Sequence, residues 1–195
     1  HLSSCLYIRS MLVNNVVSQN NVQSSFPVIT VSKVQTVSIE HSKFSRIMGP
    51  VFKIVSCRKA QLNFVIFFKI TSRRYGALQI VIREPMKESE ITFSLNNSTF
   101  TSCITSFMAS GITITHIDSV SHRPKILTNR MTDENEKVNL HSNKRISIIV
   151  IGSVFSKCKT RMSGGVFLYN PYNKFQSETS VLFSACNFLS NKAYS

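Results

Sequence analysis

The sequence predicts an all-β protein that folds as a single-stranded parallel β-helix, a solenoid of about six coils. Three observations favour this fold class. One residue pattern recurs along the chain, each copy alternates apolar and polar residues, and the dipeptides typical of hairpin turns are missing. Repeats spaced by roughly 20–50 residues are typical of stacked architectures in which each copy is one structural unit.

Each copy of the repeat centres on one apolar residue. The centres of the five clear copies are Leu12, Phe44, Phe100, Phe155 and Phe188. An apolar–polar alternation precedes the centre, as in residues 91–95 and 146–150, and places one set of side chains on one face of a strand. A small residue, usually serine, stands two positions before the centre, where turn chemistry predicts a bend. A degenerate sixth copy at Phe67 divides the longest interval between centres.

A second apolar segment follows the centre in several copies and completes the coil. It comes after a glycine, as at Gly49, Gly111 and Gly165. One unit therefore reads strand, bend, buried aromatic residue, turn and strand. No segment has the 3.6-residue apolar stripe of a helix.

Parallel stacking of the coils is favoured over antiparallel hairpins. The chain contains no Asn-Gly or Asp-Gly dipeptide and only six glycines, whereas hairpins depend on such turns. In a solenoid, equivalent residues lie directly above one another at about 4.8 Å, and identical side chains stack favourably. We therefore expect a structural stack made of Leu12, Phe44, Phe67, Phe100, Phe155 and Phe188.

The domain prediction is one β-helix that spans residues 1–195. Residues 119–145 interrupt the repeat with many charges and a proline, so we expect them to form a loop inserted into one coil. The last copy runs to the final residue, and an uncapped terminal coil would leave strand edges unpaired. We therefore expect the chain to be a fragment of a longer solenoid.

Two short motifs resemble those of a known family. Residues 164–167 are similar to the Gly-Gly-aliphatic motif of the polymorphic outer membrane protein repeats, and residues 188–191 are similar to their Phe-x-x-Asn motif. The Phe motif precedes the Gly-Gly motif in that family, as Phe155 precedes Gly164 here. The resemblance implies a right-handed parallel β-helix in a cell-surface or secreted, often adhesive, protein.

The charge balance points to anionic partners. Lysine and arginine number 23 against nine acidic residues, a net charge of +14, which attracts nucleic acid, anionic lipid or acidic glycans. The basic residues are scattered, and no helix-turn-helix, zinc-finger or RNP pattern accompanies them. The candidate polyanion contacts are Lys43, Arg46, Lys53 and Lys157. The alternative is a solvated basic surface whose acidic counterpart lies elsewhere in the parent protein.

Two covalent modifications are candidates. Cys103 and Cys158 occupy the same position of the repeat, so adjacent coils would bring them within disulfide distance in an oxidising compartment. The alternative is a pair of small buried thiols. Asn96 starts an N-glycosylation triplet on the outward side of its strand, although such triplets also arise by chance.

Catalytic residues, cofactors and metal ligands are not expected. No Cys-x-x-Cys pair, nucleotide loop or serine-nucleophile motif occurs, and the acids near strands (Glu40, Glu90, Asp118 and Glu178) are dispersed over the copies. His116 and Asp118 are the one pairing on a shared strand face. The longest apolar stretch, residues 62–68, is too short to cross a bilayer.

The predicted function is a non-catalytic β-helix segment of an extracellular or cell-surface protein, with a scaffold or adhesion role. Its partners would be glycans or another surface protein. Two alternatives stay open: a carbohydrate-active, pectate-lyase-like enzyme fragment, and a polyanion-binding module. A carbohydrate-active enzyme would need carboxyl groups that converge in one groove.

Overall fold

The computed structural model describes residues 4–16, 26–84, 90–118, 144–161, 165–170 and 177–194. Within these ranges all regular structure is β-strand, and every pairing between strands is parallel. The strands form three sheets and the chain visits them in turn, which confirms the parallel β-helix.

Six successive coils contain the twenty described strands. The first coil contains β1 (Cys5–Arg9), β2 (Leu12–Asn14) and β3 (Ile29–Ser32). The second contains β4 (Thr36–Glu40), β5 (Lys43–Met48) and β6 (Phe52–Val55). The third contains β7 (Lys59–Asn63), β8 (Ile66–Ser72) and β9 (Leu78–Glu84).

The last three coils follow the same plan. The fourth contains β10 (Glu90–Asn96), β11 (Thr99–Thr101), β12 (Ile104–Thr105) and β13 (Ile112–Asp118). The fifth contains β14 (Lys144–Ile151), β15 (Val154–Ser156), β16 (Lys159–Thr160) and β17 (Phe167–Asn170). The sixth contains β18 (Ser177–Ser184), β19 (Asn187–Leu189) and β20 (Lys192–Ala193).

Each sheet takes equivalent strands from successive coils. Sheet A has the order β1-β4-β7-β10-β14-β18. Sheet C has the order β17-β13-β9-β6-β3. Sheet B contains nine strands, in which the long strand β8 pairs with β5, β11 and β12. The right-handed winding that the resemblance implies is also the sense that parallel crossover connections almost always take.

A column of phenylalanine rings runs through the core beneath sheet B. Phe44, Phe67, Phe100, Phe155 and Phe188 stack in adjacent coils, with ring centroids 5.7, 4.5, 5.0 and 5.1 Å apart. The first four rings are fully buried, whereas Phe188, in the sixth coil, is half exposed. Stacked aromatic pairs add about 0.5–1.5 kcal/mol each to the free energy gained from burial. The column therefore stabilises the register of all neighbouring coils.

The predicted stack is wrong at Leu12. Leu12 pairs with Lys43, and Val13 pairs with Phe44, so Val13 takes the inward position and Leu12 is 71% exposed. A shift of one residue exchanges the two faces of a strand. The alternation in residues 5–8 fits either phase, because all four side chains have apolar character. The structure packs Leu6 and Ile8 against the core, which fixes the phase.

The predicted inserted loop ends two residues early. Strand β14 begins at Lys144, so Lys144 and Arg145 belong to sheet A rather than to a loop over residues 119–145. The rest of that predicted loop lies outside the described residues.

A single left-handed residue turns every coil from sheet A to sheet B. These residues have φ between 47° and 59°, and they are Ser10, His41, Phe64, Asn97, Gly152 and Ala185. Such φ values are uncommon for residues with a Cβ atom. They recur here because each coil must make the same tight corner so that the strands on both sides stay in register.

Buried serines hold these corners together. Ser98 and Ser153 each donate a hydrogen bond to the carbonyl two residues earlier, at 2.9 and 3.0 Å. Their oxygens also accept a backbone N–H from the preceding coil, from Val65 and Ser98 respectively. Ser42 makes the same pair of bonds. Buried backbone groups need partners, so this role explains why serine recurs two residues before the centre.

The ring column predicts a large loss of stability on Phe100→Ala. Removal of a fully buried ring leaves a cavity, and the free energy of unfolding should fall by about 3–5 kcal/mol in urea denaturation. Phe107→Ala is the matched control, because Phe107 lies in the same coil and is 43% exposed. The control should cost clearly less, about 1–1.5 kcal/mol, because only part of its ring is buried. Equal losses in the two variants would contradict the register.

Candidate functional site

Sheet B bends at a second column of left-handed residues. Their φ values lie between 52° and 57°, and the residues are Asn15, Arg46, Lys69, Ser102, Lys157 and Ser190. In the second coil Phe44 and Ile47 are buried in the core, and the exposed Arg46 lies between them at the bend. This geometry is suited to polar side chains, because the bend keeps them in solvent. Three members of the column are cationic.

Every charged residue on the outer surface of sheet B is cationic in the described part of the chain. We call this surface the cationic face and define it by nine exposed residues: Lys43, Arg46, Lys69, Arg73, Arg74, Lys157, Lys159, Arg161 and Lys192. Each lies in a strand of sheet B, at its bend or directly after it. Neither these strands nor the bends between them contain an acidic residue. The nine cations make no ion pair with any described side chain.

All acidic residues of the described ranges lie on the other two sheets. Glu40, Glu90 and Glu178 belong to sheet A, and Glu84 and Asp118 belong to sheet C. Positive charge on the cationic face is therefore not neutralised locally. Neighbouring coils are separated by about 4.8 Å, less than the Debye length of about 8 Å at physiological salt, so the fields of adjacent cations add.

The structure brings together three of the four predicted polyanion contacts. Lys43, Arg46 and Lys157 lie on the cationic face, whereas Lys53 lies in β6 of sheet C and is half-buried. The sequence reasoning missed Lys69, although it stands two residues after Phe67, as Arg46 and Lys157 stand two after their own centres. The repeat itself contained that signal. Lys69 was not predicted because the copy at Phe67 has Val65 where other copies have serine.

Two cations of the face already contact aromatic rings. The Nζ of Lys69 lies 5.1 Å from the centroid of Phe68, and the guanidinium of Arg74 lies 5.5 Å from that of Tyr75. Cation–π contacts of this length hold a long side chain in place at a gain of about 0.5–1 kcal/mol. They order part of the face before any ligand binds.

Glu40 belongs to a hydrogen-bonded ladder on sheet A. The Tyr7 hydroxyl donates to Glu40 Oε2 at 2.7 Å, and the Asn63 amide donates to Oε1 at 3.4 Å. The bond from Tyr7 lowers the pKa of Glu40, and the same bond raises the pKa of Tyr7. Asn96 extends the ladder with a 2.9 Å bond to Asn63, so the candidate glycosylation amide already has a partner. These groups link four coils.

Two other acids share one column with an arginine. Arg145 pairs in register with Glu90 on one side and with Glu178 on the other. Its Nε atom lies 3.2 Å from Glu178 Oε2, and both side chains are 73% exposed, so the pair stabilises the fold little.

The pairing of His116 with Asp118 lies in β13. His116 is buried there, and the side chain of Asp118 lies outside the described part.

Cys103 and Cys158 are neighbours in the core. They lie on adjacent coils, and each thiol donates to a backbone carbonyl of the preceding coil, Cys103 to Phe67 at 3.9 Å and Cys158 to Phe100 at 3.5 Å. Both are free thiols in this structure rather than a disulfide. Burial raises the pKa of Cys103, and the adjacent Cys103 thiol lowers the pKa of Cys158. Their packing is that of the small buried residues that the alternative prediction describes.

Asn191 gives a structural role to the Phe-x-x-Asn motif. Its Oδ1 accepts the backbone N–H of Cys158 at 2.9 Å, and its Nδ2 donates to the carbonyl of Phe155 at 2.9 Å. The asparagine therefore satisfies backbone groups of the preceding coil at the bend of sheet B.

Comparison of the chain with protein-family models, curated proteins and solved structures found no match. No cluster of three or more His, Cys, Asp or Glu side chains suited to a metal ion occurs in the ranges that the structure describes. The same ranges contain no helix of the length and apolar character needed to cross a membrane.

The Tyr7–Glu40 bond predicts an acid-dependent part of the stability. The pKa of Glu40 in the folded protein lies below its ordinary value of 4.5, so its contribution is present above that pH and is lost as the pH falls. In urea denaturation from pH 6 to pH 3, about the range in which carboxylates protonate, Glu40→Gln should weaken the decline in stability. Glu90→Gln is the control, because no described hydrogen bond holds Glu90. An unchanged decline in Glu40→Gln would refute the assignment.

Proposed function

We propose that this chain is a non-catalytic β-helix that acts as an adhesive surface and binds linear acidic glycans through its cationic face. One observation carries the proposal: nine exposed cations lie on a single sheet, and every described acid lies elsewhere. Scattered surface charge would place acids on all three sheets. Their segregation favours a ligand with repeated negative charge.

The repeat geometry suits an extended ligand. Arg46, Lys69 and Lys157 lie in one column, in the second, third and fifth coils. At about 4.8 Å per coil, the row runs along the axis of the solenoid for about 14 Å. A linear polyanion laid along this axis would meet several cations at once and would release counterions from each contact. Simultaneous contacts raise avidity without requiring any single strong bond.

An acidic glycan is favoured over single-stranded nucleic acid. Nucleic acid binds open aromatic platforms on which successive bases stack. On the cationic face the rings of Phe68 and Tyr75 are occupied by Lys69 and Arg74, and the one half-exposed ring of Tyr194 is too little to stack successive bases. A glycan that carries carboxylate or sulfate groups needs only the cations.

An extracellular or cell-surface location, and kinship with the polymorphic outer membrane protein repeats, belong to the same proposal. The hydrogen bonds of Asn191 support the kinship, because they give the Phe-x-x-Asn motif a function in coil stacking. Acidic glycans are abundant outside cells, where an adhesive scaffold would meet them. A second surface protein with an acidic patch is the other partner that this face would suit.

Charge reversal tests the proposal. The triple variant Arg46→Glu, Lys69→Glu and Lys157→Glu should lose about 100-fold in affinity for heparin at physiological salt, at roughly 1 kcal/mol per cation. The matched control reverses Arg9, Arg58 and Lys59, three exposed cations off the cationic face, and so changes net charge equally. The control should lose far less in fluorescence anisotropy with labelled heparin. Equal losses would show that net charge alone drives binding, and tighter binding of single-stranded DNA would change the ligand class.

A carbohydrate-active enzyme is the second candidate, and one observation favours it. Glu90 and Glu178 flank Arg145 on the outer surface of sheet A, two coils apart. That spacing of about 9.6 Å is near the upper end of carboxyl separations in inverting glycosidases. Sizing of the polysaccharide after incubation separates the two functions, since binding leaves its length unchanged. If the polysaccharide becomes shorter with the native protein but not with the Glu90→Gln variant, the function is catalysis rather than adhesion.

A further inference from the structure

One pocket interrupts the cationic face. It has a volume of about 520 Å³ and is lined by Ile104, Thr105, Lys159, Thr160, Arg161 and Tyr194. These residues come from the fourth, fifth and sixth coils, so the pocket exists only because three coils stack in register. Its volume is within the range of small-molecule sites, about 300–1,000 Å³.

The floor of the pocket is fixed by hydrogen bonds. Thr105 and Thr160 are buried, and their hydroxyls lie 3.4 Å apart. Both hydroxyls donate to the carbonyl of Met108, Thr160 at 2.8 Å. Because these bonds already use the hydroxyl protons, selectivity for a ligand must come from the walls.

The walls combine charge with apolar surface. Lys159 and Arg161 are exposed, lie two residues apart and have no ion-pair partner among the described side chains. Beside them lie Ile104, which pairs in register with Lys159 and is 39% exposed, and Tyr194, which is 50% exposed. The backbone N–H of Tyr194 donates to the carbonyl of Thr160 at 3.0 Å, so the tyrosine is held beside the cations.

We infer that this pocket is a subsite for one acidic sugar residue, an inference that rests on the proposed function. A guanidinium binds a carboxylate or sulfate through two parallel hydrogen bonds, and the neighbouring lysine adds a second charge. The ring of Tyr194 and the side chain of Ile104 offer apolar contact to the C–H face of a pyranose. A bare inorganic anion would leave these apolar side chains uncovered, whereas a uronate would contact both the cations and the apolar side chains. The columns of cations attract negative charge, and this pocket adds selectivity for the sugar ring.

The inference is tested with a monosaccharide, because a single sugar cannot span the row of cations. Titration of galacturonate, followed by NMR chemical shifts, should give saturable millimolar binding with shifts centred on Tyr194. Lys159→Gln combined with Arg161→Gln should weaken this binding at least about tenfold. Arg58→Gln combined with Lys59→Gln, two neighbouring exposed cations off the cationic face, is the matched control and should leave it unchanged. Tyr194→Ala should weaken binding, and Tyr194→Phe should retain it. Thermal melts verify that each variant is folded.

Three results would overturn the subsite. Binding of inorganic sulfate as tight as that of galacturonate would reduce the pocket to a plain anion site. Neutral galactose could bind equally well, which would remove the role of the cations. The control pair could lose as much affinity as the pocket pair, which would leave only diffuse attraction. The proposed function fails separately: heparin binding would be absent while the monosaccharide still binds. Conversely, heparin binding without monosaccharide binding would reject the pocket alone.

Discussion

Register between coils is the constraint on which the rest of the structure depends. In a parallel β-helix each strand pairs only with the equivalent strand of the coil before and the coil after. A residue therefore meets its own counterpart at about 4.8 Å, and the choice of side chain at one level limits the choice at the next. The column from Phe44 to Phe188 meets this condition with stacked rings. A displaced ring would open a cavity in two coils at once.

The corners divide the chain into positions that serve the fold and positions that are free to serve a ligand. Left-handed residues at two points of every coil turn the backbone, and buried side chains such as Ser98 and Asn191 satisfy the groups that leave the ladders. The outward side chains of sheet B neither turn the backbone nor satisfy its hydrogen bonds. Nothing in the core requires Arg46, Lys69 or Lys157 to be cationic, so their common charge calls for an explanation outside folding.

Much of the fold follows from the sequence because the repeat records the columns directly. The phenylalanine and serine columns were predictable from spacing, and so was a bend at the serines, although the left-handed residues His41 and Asn97 stand one position before them. The first coil was not, because an apolar residue fits either phase of its strand. The cationic face was predictable only in part. A lysine can be exposed on any sheet, so the sequence alone placed Lys53 and Lys157 on one surface. The strand pairing places Lys53 on sheet C and Lys157 on sheet B. The pocket needed the register of three coils across long connections.

The distance between Arg46 and Ser190 tests the register most directly. The two residues are 144 apart in sequence, yet they occupy one column four coils apart. Spin labels on non-natural residues at these exposed positions should give a narrow distance distribution near about 19 Å by pulsed electron paramagnetic resonance, four rises of about 4.8 Å. A broad distribution, or a mean beyond about 30 Å, would contradict the stacked coils, because four coils with this rise cannot separate the two labels by so much.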